Sequence, residues 1–413
     1  DVAAAGGKIV ALCDVDDNRR RRKANDPQQL FPKASFFPDF RVMLDKLDNQ
    51  LDAITVSTPD HVHCHAAVTA MRMGKHVYCQ KPLSHSIGEA RLMATVARQE
   101  GVATQMGNQG HANEPIRRAV EWIRAGVIGR VQQVHCWTNR PIWPQGLTAH
   151  LPEQPLPAGL DWDLWLGPSP ARPYNAEYCP FKWRGWWDFG TGALGDMACH
   201  TLNMPFMGLD LFDPTSVVAE TEGHNKETYP SKCKIVFEFP EYNGRAAVTL
   251  HWYDGGFKPP RALFPTRTQF VDSNGKPLAA DNQKYARLLN TGTLVVGDKG
   301  SMLSPGDYGH DTRTTGIFAN DEYTLLGNIK QEVEYPESPG HFTELANAIK
   351  GGPAPVSSFQ TYSGRLTETI LLGNLAVYAN GKKIQWDAKN MVPTNAPEVA
   401  HIVRKEYHNG YEI

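Results

Sequence analysis

Four short apolar runs, residues 8–13, 51–57, 76–79 and 102–109, each stop at a polar turn, and stretches with helical spacing separate them. Runs of this length bounded by Gly, Pro, Asn or Asp are the signature of buried strands, while residues 66–73, 87–100 and 115–125 carry the longer period of helices. Strand alternating with helix predicts a parallel, doubly wound α/β sheet over residues 1–125. From Val131 the texture changes. Residues 131–141 open a region rich in proline and tryptophan; residues 217–252 and 293–303 alternate apolar and polar positions as antiparallel strands do, and 340–350 and 365–379 read as helices. Residues 126–413 are therefore expected to form a second domain. Within it, residues 257–290 are polar and proline-rich, which predicts a long surface loop, and the chain from Trp386 onward reads as a terminal arm with a helical stretch.

Composition excludes more than it identifies. A hydrophobic content of 41% and a charged content of 21% over 413 residues are ordinary for a globular chain with two cores. The formal net charge of −2 leaves no basic stripe for a phosphate backbone, so nucleic acid is not an expected partner. The local exception, Arg19-Arg20-Arg21-Arg22-Lys23, reads as a solvated helix face. No apolar run approaches the roughly 18 residues that cross a bilayer. The seven cysteines are odd in number and lack CxxC spacing, which reads as reduced, buried thiols rather than a disulfide frame or a zinc site.

The chemistry concentrates where the apolar runs end. Residues 76–79 run into Gln80-Lys81-Pro82, which puts Lys81 at the carboxyl end of a strand. Ligands of open parallel sheets collect there, and the following proline holds the lysine extended. Asp14 ends the first run and is placed to accept hydrogen bonds from the ribose hydroxyls of a dinucleotide; capping the next helix is the competing use. A carboxylate at that point favours NAD over NADP because it repels a 2′-phosphate, although the arginine run leaves some room for NADP. The glycine turn that normally precedes such an acid by about 20 residues is absent from the 13 residues before Asp14, so the first strand and its turn are expected to be missing. Thr58-Pro59-Asp60-His61 closes the second run and offers backbone to a cofactor. His61, His63 and His65 point in different directions along the start of a helix and make no shared metal site. Asn108 is placed for the nicotinamide ribose or the substrate, or is a plain turn residue. Most tryptophans lie between Trp137 and Trp187, material for a core that also suits stacking on sugar rings. Further on, glycines hand the chain into a helix on which Asp196 and His200, four apart, share a face. An acid beside a histidine orients the imidazole and raises its basicity, as a general base requires.

Taken in order, Cys13-Asp14-Val15-Asp16, Thr58-Pro59-Asp60-His61, Gln80-Lys81-Pro82, Met106-Gly107-Asn108-Gln109 and Gly195-Asp196 through His200 resemble the motifs of the Gfo/Idh/MocA oxidoreductases, the glucose-fructose oxidoreductase and inositol dehydrogenase family, over nearly the whole chain. The resemblance implies an α/β protein: an N-terminal Rossmann domain, then an α+β domain with a large, mostly antiparallel sheet whose face carries the substrate site. It implies NAD as cofactor and dimers or tetramers built through the open sheet. Lys81, Asp196 and His200 are the implied catalytic group, with His200 taking a hydroxyl proton, Asp196 holding the imidazole and Lys81 polarising the oxygen. Thr58, Pro59, His61, Gln80, Lys81 and Asn108 join Asp14 as cofactor contacts, and Asn139, Arg140, Trp143 and Trp187 are candidate contacts for a carbohydrate. Gln80 stands where the family has glutamate, which removes a charge beside the lysine while keeping an amide able to hydrogen-bond the nicotinamide region. The expected reaction is oxidation of a secondary hydroxyl of a sugar, cyclitol or glycoside. Two other readings are a hydrolase that oxidises its glycoside transiently, eliminates the aglycone and takes the hydride back, and a sugar-binding protein derived from the enzyme fold. The expected compartment is the cytoplasm, or the periplasm if a twin-arginine signal precedes residue 1.

Overall fold

The structure, a computed structural model, describes residues 1–20, 30–147, 150–264, 290–309, 315–319, 322–329 and 332–413. Strands β1 (Ala11–Cys13) and β2 (Ser35–Phe37) pair in parallel, and β3 (Ala53–Val56), β4 (His76–Cys79) and β5 (Thr104–Met106) form a second parallel ladder. With the helices Phe40–Leu47, His63–Arg72, Ile87–Gln99 and Glu114–Arg124 they make the expected doubly wound unit. Among the described residues no ladder joins the β1–β2 pair to β3. In the doubly wound order the place between those two belongs to the first strand, so the sheet is interrupted where the expected strand and glycine turn would lie.

Two local devices fix the turn that carries Lys81. Ser86 caps the helix Ile87–Gln99: its hydroxyl accepts from the Glu89 N–H (3.3 Å) while Glu89 accepts from the Ser86 N–H (2.8 Å), a reciprocal capping box that stops the turn at residue 86. The buried His63 ring lies between the Pro82 carbonyl, 2.8 Å from Nδ1, and the Thr58 carbonyl, 2.9 Å from Nε2, and so ties the turns after β3 and β4 together. Among the described residues no His/Cys/Asp/Glu group has metal-site geometry.

The chain leaves the helix Glu114–Arg124 and enters β6 (Val131–Trp137), the centre of a ten-stranded sheet. Its other strands are β7 (Ser216–Glu222), β8 (Lys232–Phe239), β9 (Val248–Tyr253), β10 (Gly292–Gly297), β11 (Ser301–Pro305), β12 (Gly316–Ala319), β13 (Glu322–Leu325), β14 (Ile384–Asp387) and β15 (Val392–Pro393), in the spatial order 13-12-11-10-6-9-8-7-14-15. Every neighbouring pair is antiparallel except β6 and β9. Along β8, Cys233, Ile235, Phe237 and Phe239 are buried in the core while the intervening residues are half-buried, the period-two pattern legible in the sequence. On that face lie the helices Gly192–Thr201 and Gly364–Tyr378. A Cβ on Gly373 would stand 2.6 Å from Leu194 and 2.8 Å from Phe237, so only glycine lets these elements close up. One hydrophobic core runs through both units, from Val77 and Met106 to Phe237 and Leu250.

The terminal arm forms β14, β15 and the short helix Pro397–Ile402, then returns to the Rossmann unit, where the Gly88 N–H donates to the Val403 carbonyl (2.8 Å). All seven cysteines are free; Cys13, the last residue of β1, departs from the expectation by being exposed. Most of the predicted 257–290 loop, residues 265–289, lies outside the described residues, as does most of the arginine run. Among the described residues no helix is long and apolar enough to cross a membrane.

Candidate active site

Separate stretches of chain converge on the Asp196 carboxylate. Lys81, from the turn after β4, donates from Nζ to Asp196 Oδ1 (2.6 Å) and to the Asp196 carbonyl (2.9 Å). Arg184, from the short helix Lys182–Gly185, brings Nε to 3.3 Å from the same Oδ1. Arg140, just beyond β6, stands 3.8 Å from Oδ2 and reaches Asp307 at 3.7 Å. The Lys81–Pro82 and Arg140–Pro141 peptides are cis. The two arginine-bearing loops touch at Gly185, where a Cβ would lie 2.2 Å from the Pro144 carbonyl and 2.9 Å from Trp143. Burial alone would raise the Asp196 carboxyl, but the charges of Lys81 and Arg184 outweigh it and hold it below its ordinary value.

His200 follows one helical turn later. Burial pushes its imidazole well below the ordinary value, the Lys81 charge adds to this, and Asp196 opposes both. Its Nδ1 is buried with no hydrogen-bond partner among the described residues, and the Tyr308 ring stands edge-on to it at 4.6 Å. Here the pairing differs from the expected one. Spacing does put Asp196 and His200 on one face, but Lys81, Arg184 and Arg140 gather at the carboxylate, and among the described residues no hydrogen bond joins it to the imidazole. Burial outweighs the neighbouring acid in setting the direction in which the His200 imidazole is shifted.

The other anticipated residues divide. In the 58–61 turn, Thr58 and Pro59 lie at the carboxyl end of β3, with Thr58 exposed. The His61 side chain turns away, its ring between the carbonyls of Phe189 (3.2 Å) and Trp165 (3.0 Å), because it packs between those two aromatic rings. Its neighbour Asp60 enters the site instead, accepting from Arg184 Nη1 (3.0 and 3.1 Å) and from the Thr191 hydroxyl (2.6 Å). Asn108 is spent in a buried network: its Nδ2 donates to Asn203 (3.3 Å) and its Oδ1 accepts from Ser357. Gln80 lies beside Gly107, with Nε2 3.4 Å from the Tyr78 hydroxyl. Asn139 accepts from Arg140. Trp143 donates to Gln145 (2.9 Å) with its ring 5.9 Å from the Arg184 guanidinium. Trp187 is stacked on Tyr229 at 3.9 Å, and its indole N–H faces the carbonyls of Asn225 and Thr228, so it is a packing residue rather than a site residue.

Arg184, Asp60 and Tyr308 were missed as side chains. Arg184 carries a signal in hindsight, a cation inside the run Lys182-Trp183-Arg184-Gly185-Trp186. It joins two carboxylates, of which Asp60 is only 1% exposed. Arg184→Met would leave Asp60 with the Thr191 hydroxyl alone, and breaking such a buried pair costs roughly 3 kcal/mol or more. Urea unfolding that shows no loss of stability in this variant would contradict the assignment.

Just past the carboxyl end of β1, Asp14 borders a cleft of about 810 Å³ lined also by Phe36, Pro38, Leu160, Asp161 and Asp163. Residues 158–161 are stitched to it by Asp17 N–H to the Gly159 carbonyl (2.8 Å) and Asp161 N–H to the Val15 carbonyl (2.9 Å), a crossing that no local pattern announced. Asp14 accepts the Asp16 N–H at 2.9 Å, and burial pushes its carboxyl up. Carboxylates at the carboxyl ends of parallel strands suit the ribose hydroxyls of NAD, and Asp14, Asp17, Asp161 and Asp163 together repel a 2′-phosphate, so the residues fit the adenosine half of NAD.

Residues 2–108 match the family model described as "Oxidoreductase family, NAD-binding Rossmann fold", and residues 114–249 the one described as "Oxidoreductase family, C-terminal alpha/beta domain". The chain is 29% identical over 382 residues to 1-carboxy-3-chloro-3,4-dihydroxycyclo hexa-1,5-diene dehydrogenase of Comamonas testosteroni, covering 84% of this chain and 83% of that one. It is 25% identical over 184 residues to levoglucosan dehydrogenase of Pseudarthrobacter phenanthrenivorans, covering 44% of this chain and 39% of that enzyme. The crystal structure of the WlbA dehydrogenase from Bordetella pertussis, in complex with NADH and UDP-GlcNAcA, superposes with a TM-score of 0.59 at 16% identity over 94% of this chain and 93% of that one. By these matches across both of its domains, the chain belongs to the Gfo/Idh/MocA oxidoreductases.

Proposed function

We propose that the protein oxidises a secondary hydroxyl of a neutral sugar, cyclitol or glycoside with NAD, and that Lys81, Asp196 and His200 are its catalytic group. The observation that carries this reading is Lys81, at the carboxyl end of β4, locked onto the Asp196 carboxylate and carbonyl one helical turn before the buried His200, whose Nδ1 has no hydrogen-bond partner among the described residues. Lys81, oriented by the Asp196 carboxylate and carbonyl, donates to the substrate oxygen and stabilises the negative charge that develops on it. His200 takes the hydroxyl proton on a ring nitrogen, which becomes the imidazolium as the C–O bond becomes a carbonyl. Asp14 would hold the adenosine ribose of NAD, which when bound would accept the hydride from the same carbon. Lys81, Arg140 and Arg184 are matched by Asp60, Asp196 and Asp307, which favours an uncharged substrate. Arg140 gives an Nη1 hydrogen to Asn139 but stands 3.7 Å or more from its carboxylates, so its remaining N–H groups are available to substrate hydroxyls.

Two expectations follow from the electrostatics. Protonation of His200 removes the base, and its depressed pKa moves that event to acid, so kcat/KM should stay level from pH 8 down to about 6. A fall centred on the ordinary histidine value would contradict this. NAD should be used at least ~100-fold more efficiently than NADP, with Asp14→Ala narrowing the gap; equal use of both by the unaltered protein would overturn the placement of the ribose.

The compartment and assembly belong to the same reading. Free thiols favour a reducing compartment, and the resemblance favours homo-oligomers through the open face of the ten-stranded sheet, which sedimentation can test. The activity itself is tested by supplying NAD with myo-inositol, D-glucose, levoglucosan and methyl pyranosides. Reduction of NAD should be slowed by deuterium at the reacting carbon. No reduction with any of them would sink the proposal.

A further inference from the structure

The polar floor of the site is flanked by apolar groups that the proposed reaction does not use. At the His200 end, Tyr308 stands edge-on to the imidazole and is 40% exposed. It is held there by its backbone: a Cβ on Gly110, in the turn after β5, would stand 3.1 Å from the Tyr308 carbonyl, so this residue of the second domain rests directly on the Rossmann unit. At the Asp196 end, the Arg184 guanidinium lies 4.3 Å from the Trp183 ring and 5.9 Å from Trp143. Trp183 is only partly covered, and Phe181 and Ile142, on the same two loops, are 60% and 62% exposed. Large apolar side chains exposed beside a cluster of buried polar groups mark a surface that a ligand covers.

We propose that Tyr308 and Trp183 are the aromatic walls of the substrate site, one at each end of the Asp196–His200 row, and that the substrate is a pyranoside carrying a second ring. This inference rests on the sugar oxidoreductase reading and narrows it. The C–H face of a pyranose packs on an aromatic ring while its hydroxyls reach sideways to Lys81 and Arg140. The balanced charges at the floor disfavour a uronate or a phosphate. Beyond the reacting ring, the exposed Phe181 and Ile142 offer contact to an aglycone or a second sugar, which a small free polyol would leave in water.

Calorimetric titration of the protein with bound NADH tests this, using matched methyl and 4-nitrophenyl pyranosides of glucose, galactose and mannose. For whichever sugar binds, the nitrophenyl partner should bind about 10-fold more tightly than the methyl one. Tyr308→Ala and Trp183→Ala should each cut that advantage below about 3-fold, and Tyr308→Phe should keep it. Equal affinities within a pair, or an advantage that survives both alanine variants, would overturn the assignment. Reduction of NAD by free sugars without any preference for a second ring would remove this inference alone. Failure to bind any sugar and to reduce NAD with any would remove it together with the reading beneath it.

Discussion

Lys81→Ala is expected to lower kcat by about 10²- to 10³-fold, the range for removing one preorganised donor from a developing oxyanion. The loss should fall on kcat more than on KM, since the ammonium interacts most strongly once charge has built up on the substrate oxygen. Stability should change far less. In the variant Asp196 keeps Arg184 at 3.3 Å and Arg140 at 3.8 Å, so its buried charge is not orphaned. Lys81→Arg should recover little, because a planar guanidinium cannot reproduce a compact ammonium that faces both the Asp196 carboxylate and its carbonyl. Near-normal turnover of Lys81→Ala would take the lysine out of the mechanism.

A second large effect is loss of the fold at mildly acid pH. Burial lowers His61, His111 and His135 to about 3, and His65 and His341 to about 4. The sign follows from linkage. Above about 6.5 these rings are neutral in both folded and unfolded chains; below it the unfolded chain takes up protons that the folded protein refuses, so stability is lost as pH falls. Each such ring removes roughly 1.4 kcal/mol per pH unit. Asp254, raised to about 7 by burial, works in the opposite sense and offsets about one of them. Even if half the remainder respond, about 3 kcal/mol is lost per pH unit, which is large beside the ~5–15 kcal/mol of a typical domain. Tm should therefore drop steeply between pH 6.5 and 5, while activity per folded molecule holds level as far as the fold survives. A Tm that is flat over that interval would mean that these rings reach water.

The sequence made some of this legible and hid the rest for identifiable reasons. Periodicity located β4 and the helices on either side of it because those segments are buried on a fixed period. Lys81, Asp196 and His200 could be named because motif order survives in one dimension. What spacing could not say is who pairs with whom. Asp196 meets Lys81 across 115 residues, and Arg184 comes to Asp196 only because Gly185 lets two loops lie against each other. Asn108 and His61 have polar side chains at plausible positions, yet tertiary partners such as Ser357 and Trp165, invisible to local reading, consume them. Trp187 was drawn to the sugar by its residue type, but Tyr229 already occupies its face.

The most direct test of the central claim supplies 4-nitrophenyl pyranosides and NAD and follows reduced nicotinamide and released nitrophenol together. An oxidoreductase built on Lys81 and His200 should accumulate reduced nicotinamide with no nitrophenol, and Lys81→Ala should slow that accumulation by the same factor of about 10² to 10³. Nitrophenol released with no net reduction would contradict it and would establish a hydrolase that takes its hydride back.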